Sequence, residues 1–192
     1  TEANRFTLQA MGSVLGGTND RRWRIEHAQV VHPEDRSLFG DYNILPSMQP
    51  THATSDMYWV EDRLGPMRVD WTYSLKSLKD ENGMIPLGTD FPVEDISPLN
   101  TFYAAVTRKD HKDFPQGGYL FSEALSREEA LRGITIWPAI AAFQEEQKGS
   151  LVAGKVADMV ILNQDILTCS EDNILSTQVL ETWINGERII IQ

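Results

Sequence analysis

Trp23-Arg24-Ile25-Glu26-His27-Ala28-Gln29-Val30-Val31 is the stretch on which the fold reading turns. It is short and partly alternating, the pattern of a β-strand. Upstream, residues 2–15 set Ala3, Phe6, Ala10 and Val14 on one face of a helix, which Gly16-Gly17 closes. Downstream, His32-Pro33-Glu34-Asp35 starts a short helix through about Gly40, with Pro33 suited to its first turn. Residues 44–49 read as a second strand, and Pro50–Asp56 as a loop, with helical segments following to about Lys79. Asn82-Gly83 turns the chain into a third strand over residues 84–90. Pro98 opens a helix to about Arg108, and residues 109–125 are loop-like. Ser126-Arg127-Glu128-Glu129 has the form of a capping box, heading a helix to about Trp137, with Pro138 starting another.

The character changes near Gly149. Residues 157–162 read as a strand, and Val179–Ile184, Asn185-Gly186 and residues 187–191 as a hairpin with an Asn-Gly turn. Strands separated by helices imply a parallel sheet. The expected class is α/β, with residues 1–148 as a strand–helix segment and 149–192 as a β-rich segment.

Composition narrows the partners. The 192 residues carry a formal net charge of −11, 41% hydrophobic and 23% charged residues. That is the make-up of an ordinary globular protein. It argues against nucleic acid, whose phosphates need a basic stripe, and against an anionic membrane surface. No apolar run nears the roughly 18 residues a membrane span needs. The lone Cys169 permits no intrachain disulfide, and a cytoplasmic location is the expectation. Thr1-Glu2-Ala3-Asn4-Arg5 runs straight into a helical pattern without an initiator Met and reads as a truncated start.

Chemistry in a strand–helix protein gathers at the C-terminal ends of parallel strands. The first strand carries Glu26 and His27; the second ends in Gln49 and is followed by His52 and Asp56; the third ends in Asp90, with Glu94 beyond it. Imidazole and carboxylate suit zinc and similar cations, and a carboxylate beside activated water can shuttle its proton. Each residue also has a plainer reading. His27 can be a satisfied structural histidine, Asp90 a turn former, His52 a surface residue and His32 helix-start chemistry. Trp23, Tyr58, Trp59, Trp71, Tyr73 and Phe91 can line a pocket, but aromatics at such spacings more often fill a core. No Gly-x-Ser-x-Gly elbow supports a serine nucleophile.

Arg24-Ile25-Glu26-His27-Ala28-Gln29 resembles the sixth-strand motif of the amidohydrolase superfamily. Residues 47–56, Ser-Met-Gln-Pro-Thr-His-Ala-Thr-Ser-Asp, resemble the seventh-strand region of its YtcJ-like branch, the group containing N-substituted formamide deformylase. Gly88-Thr89-Asp90-Phe91-Pro92-Val93 resembles that branch's eighth-strand motif, and residues 104–108, 149–151 and 154–162 also match. The resemblance implies the C-terminal part of a metal-dependent (β/α)8 TIM barrel, about strands six to eight, with residues 149–192 contributing strands to a flanking β-sandwich. It implies His27 as a metal ligand and Asp90 as both ligand and catalytic general base, then acid. Gln49, His52 and Arg108 would line the substrate pocket. The implied cofactor is a divalent metal, zinc first, and the implied substrate a small amide-type molecule.

The departures also matter. The family's first-strand His-x-His pair, its fourth-strand bridging ligand and its fifth-strand histidine are absent. Three strands cannot close an eight-stranded barrel. The chain is therefore expected to self-associate, join the missing barrel half or form an open sheet, and to be inactive alone. The alternative class is a non-catalytic α/β binding or assembly module that keeps the scaffold without a working metal site.

Overall fold

The computed structural model describes residues 1–190. Two strands, β1 (Arg24–Glu26) and β2 (Leu45–Ser47), pair in parallel, with Arg24 opposite Leu45 and Glu26 opposite Ser47. Between them lie a 3-10 turn (Pro33–Asp35) and helix α2 (Ser37–Asp41), the crossover that parallel strands require. His32 heads the 3-10 turn, its Nδ1 accepting the Glu34 N–H at 3.2 Å, as the helix-start reading has it.

The third strand is shorter than expected. Residues 84–90 join β2 by one parallel bridge, Met48 to Leu87. The Met48 N–H donates to the Pro86 carbonyl at 3.0 Å, and the Gly88 N–H to the Met48 carbonyl at 3.0 Å. Pro86 has no N–H to give a ladder, and the Leu87 N–H turns away to the Gly133 carbonyl at 2.9 Å. Gly133 permits that approach, because a Cβ there would lie 2.5 Å from Leu87 Cδ1.

Helix α1 (Glu2–Leu15) forms as expected and ends at Gly16 in the left-handed region. Its buried face is not the one the sequence suggested. Leu8 and Gly12 are buried, with Met11 and Leu15 packed beside them, whereas Phe6 is 75% and Val14 72% exposed. Gly12 selects this face, since its bare Cα lies against the Tyr42 ring, where a Cβ would be 2.4 Å from Cε2.

Pro50–Asp56 is a helix, α3, not a loop. Pro50 occupies its first position, where a missing N–H costs nothing. Short helices α4 (Val60–Leu64), α5 (Pro66–Val69) and α6 (Leu75–Asn82) follow, then α7 (Pro98–Thr107). The capping box is present at the start of α8 (Arg127–Ile134): Ser126 Oγ accepts the Glu129 N–H, and Glu129 accepts the Ser126 N–H at 2.9 Å. This helix stops earlier than Trp137. Pro138 can neither donate to the Ile134 carbonyl nor sit beside it, so the chain breaks at Thr135 and restarts as α9 (Ile136–Ala141).

In the C-terminal segment β3 (Met159–Leu162), β4 (Val179–Ile184) and β5 (Glu187–Ile189) form one antiparallel sheet in that order, with the short helix α10 (Glu171–Ile174) between β3 and β4. Asn185 and Gly186 turn the hairpin with φ of 52° and 80°, the positive values a type I′ turn demands. Ile191, placed in the second hairpin arm by the sequence, lies outside the described residues. Ile166 and Ile174 are buried in the same core as Leu8, Phe39, Ile85 and Phe102. Among the described residues no barrel closes, and Val160, Leu180 and Ile184 of the sheet stand exposed.

Arg108 caps α7 from the left-handed region, with φ of 58°. Its side chain is fully buried, and Nε and Nη2 donate to the carbonyls of Tyr119 (3.0 Å) and Tyr73 (3.3 Å). Burial pushes the guanidinium down to about 10. Arg108, which the resemblance places at the substrate pocket, ties the loop after α7 to the segment before α6, while its Nη1 is buried without a hydrogen-bond partner among the described residues.

Two substitutions test this packing. Gly12→Ala gains up to about 1 kcal/mol of helix propensity but overpacks the Tyr42 contact at a cost of roughly 1–3 kcal/mol. Net destabilisation of about 1 kcal/mol is expected in urea unfolding, and a gain in stability would show that α1 packs elsewhere. Arg108→Ala strands two carbonyls and opens a void, so a loss of about 3 kcal/mol is expected in the same measurement.

Candidate metal centre

The parallel pairing sends the ends of β1, β2 and the 84–88 segment toward one rim. Three departures from ordinary backbone lie there. His27 (φ 69°) and Ala28 (φ 39°) directly follow β1, and Asp90 (φ 56°) follows the third segment. Non-glycine residues in the left-handed region cost about 1 kcal/mol or more and persist where the surroundings impose them, often at functional sites.

His27, His52 and Asp90 meet at this rim. One ligand atom from each lies within 4.8 Å of the others. His27 Nδ1 stands 4.0 Å from Asp90 Oδ2, and His52 Nε2 stands 3.6 Å from the same oxygen. The two imidazoles stack with centroids 5.8 Å apart and planes 26° from parallel. Gln49 joins them, its Oε1 lying 2.9 Å from His27 Nδ1. The helical reading of Pro50–Asp56 explains the geometry: Gln49 is the cap residue of α3 and His52 its third residue, so the two project from the same side of the first turn.

The other candidates go elsewhere. Glu26 pairs with Arg24 at 2.5 Å. Asp56 accepts the Tyr73 hydroxyl hydrogen bond, and Glu94 accepts from Ser55 Oγ at 2.6 Å. His111 is exposed. Cys169 is half-buried near Arg127 Nη1.

The residues present fit a divalent cation. His52 is 7% exposed, and both of its ring nitrogens are buried without a hydrogen-bond partner. Leaving a buried polar atom unpaired costs about 1–3 kcal/mol, which a cation at this point would relieve. Two imidazoles and a carboxylate are the donor types of zinc-like ions. His52, expected on the pocket wall, lies in the same cluster as His27 and Asp90. The available signal was Pro50 at a helix start, which fixes Gln49 and His52 three residues apart on one turn.

Comparison with known proteins gives the same direction. The pattern of the amidohydrolase family (Amidohydro_3) matches residues 6–190. The chain is 39% identical over 198 residues to Protein LONG AFTER FAR-RED 3 of Arabidopsis thaliana, covering 98% of this chain and 32% of that protein. It is 30% identical over 169 residues to the putative amidohydrolase YtcJ of Bacillus subtilis (strain 168), covering 88% and 32%. It is 32% identical over 114 residues to the N-substituted formamide deformylase of Arthrobacter pascens, covering 59% and 20%. An uncharacterized metal-dependent hydrolase of Pyrococcus horikoshii superposes with a TM-score of 0.72 at 28% identity, covering 86% of this chain and 32% of that one. The chain thus spans about a third of the length of the first two curated relatives. With a family pattern running from Phe6 to Ile190 and a YtcJ relative matched along most of the chain, this protein belongs to the amidohydrolase family, in its YtcJ-like branch.

Proposed function

We propose that the whole enzyme hydrolyses a non-peptide amide-type C–N bond of a small molecule, formamide-like in chemistry, with zinc as its divalent cation. The convergence of His27, His52 and Asp90 on one point carries this reading. The family, the deformylase relative and the metal-dependent hydrolase fold support it.

A divalent cation held there would lower the pKa of a water toward ~7 and polarise a carbonyl oxygen. Asp90 supplies the proton path. Its carboxylate accepts the proton of the attacking water and returns it to the nitrogen as the C–N bond breaks. The water oxygen stays on the carbonyl carbon, and the amine leaves with the proton. His27 holds its place at the end of β1, and His52 stands beside the Asp90 carboxylate from α3. The chain lacks a His-x-His pair, so by itself it is expected to turn over no N-substituted formamide, even with zinc added.

The reading is tested by zinc uptake, measured by equilibrium dialysis with elemental analysis. The unsubstituted chain is expected to bind one equivalent, and His27→Ala and Asp90→Asn each to weaken uptake by at least about tenfold. No uptake, with both variants as stable as the parent, would instead make this a non-catalytic binding or assembly module.

A further inference from the structure

We infer that Gln49 supplies a fourth donor, its side-chain amide oxygen, to the cation held by His27, His52 and Asp90. This rests on the metal-dependent reading above and assigns Gln49 a role other than contact with substrate.

Gln49 is 7% exposed and sits at the cap position of α3, yet its side chain makes no cap hydrogen bond. Its oxygen goes instead to His27 Nδ1, at 2.9 Å. That nitrogen is also the one His27 turns toward Asp90. The amide oxygen therefore lies on the metal-facing side of the ring, not behind it. Ligand atoms bound tetrahedrally at about 2.0–2.2 Å from one cation stand about 3.3–3.6 Å from each other. The Gln49–His27, His52–Asp90 and His27–Asp90 separations of 2.9, 3.6 and 4.0 Å bracket that spacing. Oxygen and nitrogen atoms already gathered at this spacing are the donors a cation needs. An amide oxygen adds no charge, so one carboxylate against a divalent ion leaves a net positive centre.

The probes are Co2+ and Zn2+ added to the chain. Co2+ uptake is read by dialysis and visible absorption, and the Gln49 side-chain carbonyl by 13C NMR with Zn2+. Gln49→Leu is expected to raise the Co2+ Kd at least tenfold and shift the visible bands, while Gln49→Glu keeps Kd within about threefold or tightens it. A Gln49→Leu Kd within twofold of the parent overturns the inference and leaves the metal-dependent reading standing. Absence of any cation uptake by the unsubstituted chain overturns both. The 13C shift of the Gln49 side-chain carbonyl on Zn2+ binding is read on the unsubstituted chain and decides the matter even if Gln49→Leu fails to fold: a clear shift is expected, and an unmoved signal with Zn2+ bound overturns the inference.

Discussion

The parallel register of β1 on β2, carried one step further by the Met48–Leu87 bridge, is the constraint on which the site depends. It brings His27 and Asp90 to one rim although 62 residues separate them in the sequence. A slip of one residue would turn every side chain in a strand to the opposite face. The register is held from outside the strands. Leu87 is drawn to the Gly133 carbonyl, and Asn82 Nδ2 donates to the carbonyls of Phe39 and Ile44 at 3.1 and 3.0 Å. The core of Leu8, Phe39, Ile44, Leu78 and Phe102 lies under the same elements. Packing and chemistry are therefore coupled: the contacts that bury apolar surface also fix where the imidazoles point.

What the sequence disclosed was local. Asn185-Gly186 names its own turn because only positive φ closes a two-residue hairpin, and Ser126 with Glu129 names a helix start by reciprocal hydrogen bonds. The first two strands and Pro98 at the head of α7 are of this kind. His27 and Asp90 stood out as strand-end residues, but their approach to one another is a tertiary fact that the family resemblance implied and periodicity could not.

The misreadings share a physical cause. Each depended on what a residue meets across the fold. Pro50–Asp56 has no apolar period because Pro50, Thr51, His52, Ala53 and Thr54 are all buried, polar and apolar alike. The apolar period of α1 pointed to Phe6 and Val14, whereas the buried face was chosen by the absence of a side chain at Gly12. Arg108 belongs to a type that is rarely buried, yet it serves as an internal tie between two carbonyls. His52 was visible as a residue, but its place beside Asp90, with Nε2 3.6 Å from Oδ2, follows only from its helix.

Diffraction from crystals of the chain soaked in zinc, recorded on both sides of the zinc absorption edge, reaches the central claim most directly. A single anomalous peak within bonding distance of a His27 ring nitrogen, His52 Nε2 and an Asp90 carboxylate oxygen is the predicted result. A difference map with no peak between these side chains, or a zinc ion bound without both His27 and Asp90, would contradict it.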